Sequence, residues 1–488
     1  MSELLDRFLA HGTDDRTAIL DEAPTTYRSL VARARAIAGA LAPASLDGER
    51  VALLVHPGAD FVAAFFGVLL AGGTVVVLSP LHPVPETRYF VTDAGVRRVL
   101  FSPAHAELAA PLAGLATLVP VAECTGAPAA WPATESAPAL QLYTSGTTGK
   151  PKGAVLTHGN LGVQQRVLGE AWGFGAGDTL LHALPLHHMH GLCIALMTAI
   201  GAGATVRMRA FDAVKIWDEL ADATSFMAVP AMYHRLFLAF DAAPAETQAR
   251  WAASAKALRL ATSGSAALPT TLAARWRAIT GTIPLERFGM TEIGVGLTNA
   301  LHGARFPGSV GLPPATVETR IVDEQGNDTE MGELLVRGPS VFAGYHGRPE
   351  ETAKAFTDGW FRTGDTVTRD ATSDGAPFRI LGRSSVDILK SGGYKLSALE
   401  IEEALREHAA VGEVAVVGIA DEAWGDRVVA AVVLRGACTA GELRAFAKER
   451  LAGYKVPKDI HFVDELPKNA LGKVVKPELK RRLTSSAD

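Results

Sequence analysis

The run Tyr143-Thr-Ser-Gly-Thr-Thr-Gly-Lys-Pro-Lys-Gly153 limits what this chain can fold into more than any other stretch. Gly146, Gly149 and Gly153 leave the backbone free to curl with its N–H groups toward one ligand, and the hydroxyls of Thr144, Ser145, Thr147 and Thr148 add side-chain donors. Lys150 and Lys152 add positive charge, which completes an inventory suited to a polyphosphate. The apolar segments Ala139–Tyr143 and Ala154–Leu156 read as short buried strands, so the loop is clamped at both ends. A solvated linker has no reason to lie between two such strands. Nor is this a Walker A loop, which needs four residues between its glycines ahead of Lys-Ser/Thr; here Gly146 and Gly149 are closer together and Pro151 follows Lys150.

At 488 residues the chain exceeds what one hydrophobic core usually supports, so two or more domains are expected. A net charge of −5 gives no basic footprint for nucleic acid or an anionic membrane. Cys124, Cys193 and Cys438 lie far apart without paired spacing, which argues against a disulfide framework or a zinc site and fits a reducing, cytoplasmic setting. Met1–Arg7 carries charges of both signs and reads as neither signal nor transit peptide. Phe61–Leu78 is uncharged over about the length of a bilayer crossing. Gly72-Gly73 divides it, however, into a helix-like half and the β-branched Thr74–Leu78, and the strand Val51–Val55 precedes it; this is a buried βαβ unit rather than a membrane span.

From Arg16 to about Leu118 the pattern alternates strand and helix: Thr17–Leu20, helix Tyr27–Leu41, Val51–Val55, helix Ala59–Ala71, Thr74–Leu78, a helix near Glu86–Asp93, and Arg97–Phe101. That spacing predicts one mainly parallel sheet covered by helices. The Ala/Pro-rich Ala127–Ala139 reads as a connector, and a second α/β layer follows the loop, with Asn160 placed to cap a helix. From Gly308 the texture turns β-rich. Beyond Gly382-Arg383 comes a small α+β unit: helix Ala398–His408, strands Glu413–Ile419 and Arg427–Leu434, helix Ala440–Leu451 and strand Ile460–Val463. The expected fold class is therefore α/β, with a large N-terminal domain over 1–382 made of stacked, mainly parallel sheets plus a β-rich subdomain, and a small mobile α+β domain over 383–488.

The loop resembles the phosphate loop of the adenylate-forming superfamily, which includes acyl-CoA synthetases, luciferases and the adenylation domains of peptide synthetases. The likeness extends through Glu286-Arg-Phe-Gly-Met-Thr-Glu292, Thr262-Ser-Gly-Ser-Ala266, Phe361-Arg-Thr-Gly-Asp365, Leu381-Gly-Arg383, Lys390-Ser-Gly-Gly-Tyr-Lys395 and Pro467-Lys-Asn-Ala-Leu-Gly-Lys473. It implies activation of a carboxylic acid by ATP and Mg²⁺ to an acyl-adenylate, then transfer to the thiol of CoA, with no carrier domain attached. ATP is assigned Thr144, Ser145, Gly146, Thr147, Thr148, Gly149 and Lys150 at the phosphates. Gly264, Ser265 and Ala266, with Arg287, Phe288, Gly289, Met290 and Thr291, are assigned around the adenine and phosphates, and Asp365 with Arg383 at the ribose. Glu292 and Thr144 are implied at the metal and in catalysis, Lys473 in adenylation, and Gly393 beside the pantetheine. Physically, a carboxylate beside ATP is a hard ligand for a phosphate-bridging metal. A lysine aimed at the leaving pyrophosphate meets developing negative charge. Where many relatives carry Asp or Lys at the hinge pivot, this chain has Ser385.

The segments implied to line the acid pocket are Leu184–Gly191 and Val229–Arg235. Four histidines and an arginine are poor lining for an alkyl tunnel but suit an anionic second end. His190, Arg235, Ser265 and Arg287 are the candidate acid contacts, with His190 also a catalytic candidate; either arginine can grip a distal carboxylate bidentately or serve as a structural ion-pair partner. Together these segments look most like the malonyl-CoA synthetases, their mitochondrial branch in particular, so malonate or methylmalonate is the expected acid. The alternatives are a ligase for a short monocarboxylic or small aromatic acid, an amino-acid adenylation enzyme, and an adenylate-binding regulator without catalysis.

Overall fold

The computed structural model describes residues 1–21, 23–42, 45–127, 129–144, 150–303, 305–369, 375–421, 423–469 and 472–485. The clamped loop organises the first of its sheets. Pro138–Thr144 and Lys152–Thr157 pair antiparallel, with Thr144 opposite Lys152. Pro138–Thr144 continues in parallel to Thr74–Val77, Arg50–Leu54, Arg98–Phe101 and Thr117–Pro120, while Gly344–Tyr345 closes the other edge. The uncharged Phe61–Leu78 resolves into the helix Ala59–Leu70 and the strand Thr74–Val77, both buried. Among the described residues no helix is long and apolar enough to cross a membrane.

The second sheet has eight strands. Leu285–Met290, Leu260–Ser263, Ser225–Ala228, Thr179–His182, Thr205–Met208 and Thr17–Leu20 run parallel in that order, flanked by antiparallel Gly294–Thr298 and Pro24–Thr26. Thr17–Leu20 corrects the expectation of one continuous first layer: it pairs with Thr205–Met208 and belongs to the second sheet. Local periodicity marks a strand but carries no signal about a partner so distant in sequence. Asn160 also acts differently from expectation. Thr157 is the N-cap of the helix His158–Ala171, and Asn160 answers it as the third residue of a reciprocal capping box.

A third, antiparallel sheet joins Glu318–Val322, Met331–Arg337, Trp360–Thr368 and Phe356–Thr357, with Arg379–Arg383 paired to Trp360–Thr368. The chain then turns through 384–387 and enters a separate core starting at Leu389, on the sheet of Tyr394–Ser397, Ile388–Ser391, Gly425–Leu434, Val411–Asp421 and Asp459–Phe462. Two helices, Ala398–Arg406 and Ala440–Lys448, cover one face, and Lys476–Ser485 packs on the other.

Candidate active site

Parallel strands leave their carboxyl ends open, and ligands in such sheets bind there. In the second sheet those ends carry His182, Ser263 and, within Leu285–Met290, Arg287. Arg287 is 4% exposed, and its Nε and Nη2 have no hydrogen-bond partner among the described residues. Burial drags its guanidinium down to about 9, an unusual state for a group that ordinarily stays charged under all conditions.

His190 opens a π-helical stretch, His190–Met197, and its Nδ1 lies 3.1 Å from the Ser265 hydroxyl. Burial, then the Arg287 charge and His182, hold the imidazole well below its usual range, so it is neutral; its Nε2 is buried and unpartnered among the described residues. Ser265 has φ of +68°, a left-handed conformation costly for a residue with a Cβ, and its bond to His190 fixes it there. Three more buried polar side chains stand without a described partner at the same sheet end: His182 at both ring nitrogens, Thr262 and Ser263. His182 gives no signal in the sequence, because it ends an apolar strand whose pattern shows only burial, whereas Thr262 and Ser263 belong to the run Thr262-Ser-Gly-Ser-Ala266.

Gly264 is the floor of this cluster. A Cβ there would press on Arg287 Cζ well inside van der Waals distance. The guanidinium is the end of a flexible side chain and would swing away, so Gly264→Ala should leave the melting temperature nearly unchanged while raising KM for the acid roughly tenfold or more. Steady-state kinetics beside a melting curve check both halves. Arg235 is placed differently: it is exposed on the helix Pro230–Ala242, with its guanidinium 4.7 Å over the Phe211 ring and no carboxylate partner among the described residues.

Glu286, beside Arg287, is buried at 4% exposure and accepts from the Gly308 N–H at 3.0 Å. Burial pushes it up to about 8 from an ordinary 4.5. Because the folded value lies above the unfolded one, its contribution is fully present below pH 4.5 and is lost as pH rises toward 8. Glu286→Gln keeps the acceptor and removes the ionisation. Urea unfolding should therefore find that substituting Gln raises stability relative to the parent at pH 8, by up to about 4 kcal/mol, but not at pH 4.5.

Leu285–Met290 leads on to the second cluster. Phe288, Gly289, Met290 and Thr291 are half-buried; a Cβ on Gly289 would collide with the Gly294 carbonyl, so the strand bulge at Phe288/Gly289 requires glycine. Glu292 is 5% exposed and accepts from the Tyr345 hydroxyl at 2.8 Å. Burial raises its carboxyl, while the Tyr345 bond and the charges of Arg383 and Lys152 oppose that. Tyr345 pairs with Ala154 on the loop's return strand, and Lys152 lies 5.0 Å over its ring. Glu292 is thus tied to the edge of the phosphate loop by a tyrosine that no motif announced. The loop residues Ser145, Gly146, Thr147, Thr148 and Gly149 lie outside the described residues; Thr144 and Lys150 bound them, with Lys150 exposed.

Among the described residues no group of three or more His, Cys, Asp or Glu gathers to cage a metal. Glu292 has one carboxylate oxygen engaged by Tyr345, and Thr144 contributes a hydroxyl at the strand end. Such a sparse donor set fits Mg²⁺ brought in with a nucleotide, since that ion usually takes one or two carboxylates and completes its shell with phosphates and water.

Asp365 and Arg383 face each other across paired strands, with Arg383 Nε 3.2 Å from Asp365 Oδ1. Asp365 is 5% exposed and its Oδ2 has no partner among the described residues, an acceptor left open for hydroxyls. Burial lifts it to about 6, and the charges of Arg383 and Lys473 pull the other way. Lys473 itself is exposed, in a turn where its N–H donates to Asn469 at 2.9 Å. Gly393 needs its left-handed φ of +82° for the Gly392-Gly393 turn between Ile388–Ser391 and Tyr394–Ser397, so the hairpin alone accounts for glycine there. Ser385 is exposed in the turn that follows Arg383.

Residues 7–346 match the family described as AMP-binding enzyme, and residues 400–473 match the AMP-binding enzyme C-terminal domain. The chain is 40% identical to the mitochondrial malonate–CoA ligase ACSF3 of Mus musculus, over 98% of this chain and 90% of that one. Its fold aligns over the full length of both chains with ATP-bound MatB from Rhodopseudomonas palustris at a TM-score of 0.91 and 33% identity. Against the apo form of the same protein, also at full coverage and 33% identity, the TM-score is 0.81. The chain belongs to the AMP-binding enzyme family of acid–thiol ligases.

Proposed function

We propose that this ligase joins malonate to CoA at the expense of ATP, through malonyl-adenylate. The observation that carries the reading is Arg287, a buried guanidinium with two nitrogens unpartnered among the described residues, beside a neutral His190 whose Nε2 is also open. Leaving such a charge unpaired is costly, and a ligand with a second carboxylate supplies the partner. The relative named as a malonate–CoA ligase supports the same acid.

One carboxylate of malonate attacks the α-phosphorus of ATP and pyrophosphate leaves; the CoA thiolate then attacks the acyl carbon and AMP leaves. Arg287 and His190 hold the spectator carboxylate, Ser265 orients His190, and Arg235 offers a second, exposed guanidinium. Asp365 Oδ2 accepts from the ribose hydroxyls while Arg383 fixes that carboxylate. Lys473 faces the charge that develops on the departing pyrophosphate. Thr144 to Lys150 cradle the phosphates. Glu292 and Thr144 would hold Mg²⁺, which when bound neutralises phosphate charge. We assign residues 1–382 to the large domain and 383–488 to the small one, with the pivot at Ser385 and Gly393 beside the pantetheine. Three free thiols, two of them buried, fit a reducing, cytoplasmic setting. Mass spectrometry of a reaction with malonate, ATP, Mg²⁺ and CoA tests the proposal: malonyl-CoA with AMP is expected, and ADP or no thioester would refute it.

A further inference from the structure

The helix Thr270–Thr280 of the large unit starts behind Pro269, which carries no side-chain acceptor, so its first N–H groups lack a local cap. The cap comes from the other unit. Glu403, on Ala398–Arg406, accepts from the Thr270 N–H at 2.6 Å and from the Thr270 hydroxyl at 2.5 Å. Its second oxygen is held by Arg406 at 2.9 Å. At 27% side-chain exposure this is a partly desolvated carboxylate on the positive end of a helix, stronger than a solvated surface pair.

The helix that carries Glu403 is also tied to the segment just beyond Lys473. On that helix Glu402, next to Glu403, accepts from Lys476 at 2.7 Å, and Lys476 reaches Asp387 of the hinge turn at 2.5 Å. Lys476 is 8% exposed, so this triad locks the helix bearing Glu403, the turn 384–387 and the segment after Lys473 into one piece. The same piece brings Gly472 against the large unit, where a Cβ on it would stand 3.3 Å from Ala231 Cβ, and sets Lys473 where Asp365 feels its charge. Over the whole chain the fold superposes better on the ATP-bound relative than on its apo form.

We propose that Glu403 is a positioning residue for adenylation: by capping Thr270–Thr280 it docks the small unit so that Lys473 reaches the nucleotide site, and the cap breaks when the small unit rotates for thioester formation. The inference rests on the assignment of Lys473 to the first half-reaction. Glu403→Ala should slow pyrophosphate release from malonate and ATP roughly tenfold, the scale of a lost charged cap, while supplied malonyl-adenylate is converted to thioester at the parental rate or faster. Glu403→Gln, which retains an acceptor without charge, should fall between. An equal loss in both half-reactions would overturn the proposal. A second readout needs no substrate: spin labels on Cys438 and on Lys256→Cys in the ligand-free full chain should report one dominant distance, which Glu403→Ala broadens or shifts. An unchanged distribution overturns the cap as a docking element. A parent that ignores malonate would sink the malonate reading and leave this distance test to decide the cap on its own.

Discussion

Arg287→Met is expected to lower kcat/KM for malonate by roughly two to three orders of magnitude and, at the same time, to make the ligand-free protein more stable. The two effects have one cause. Without ligand the guanidinium is buried with Nε and Nη2 unpartnered among the described residues, a cost that drags its proton affinity down to about 9. Methionine of similar length removes that cost and also removes the cation that a buried second carboxylate would meet, while turnover of propionate should change little. Kinetics with both acids and a urea titration without ligand check the pair of effects. A variant that is both inactive and less stable would mean that Arg287 is a structural strut rather than a substrate contact.

The second large effect concerns the small unit. Lys473→Ala should reduce malonate-dependent pyrophosphate release by roughly two to three orders of magnitude, the scale on which a preorganised group facing developing charge acts. Conversion of supplied malonyl-adenylate to thioester should persist, because that step moves no charge onto pyrophosphate. The structure puts Lys473 within electrostatic reach of Asp365, on a turn packed against the helix Pro230–Ala242. Single-turnover measurements of the two half-reactions separate them, and a matched loss in both would place Lys473 in the shared binding of the nucleotide instead.

Much of this site is legible in the sequence because its residues sit in short contiguous runs. The strand Leu285–Met290 buries Arg287 beside Gly264 and leads within a few residues to Glu292, and the pairing of Asp365 with Arg383 follows from two neighbouring strands. What escapes local reading is produced by long-range packing. Tyr345 donates to Glu292 across a wide gap in sequence, and Glu403 reaches Thr270 across the boundary between two cores. The left-handed Ser265 is likewise invisible in a chain of letters, since serine gives no warning of a positive φ. Burial separates two arginines that composition makes equivalent: Arg287 is enclosed and Arg235 is open to solvent. At Gly393 the hairpin turn by itself requires glycine, so the residue type there carries no separate signal of a ligand.

On this reading the buried Arg287 guanidinium recognises a second carboxylate. Malonate and propionate differ by that group alone, so the most direct measurement is the ratio of their kcat/KM values in the unaltered protein, followed as pyrophosphate release with ATP, Mg²⁺ and CoA. A site built around an unpaired charge should favour malonate by about a thousandfold or more, as sites with buried polar groups reject analogues that leave them unpaired. A ratio near one, or a preference for propionate, would contradict the account while leaving the adenylate-forming chemistry in place.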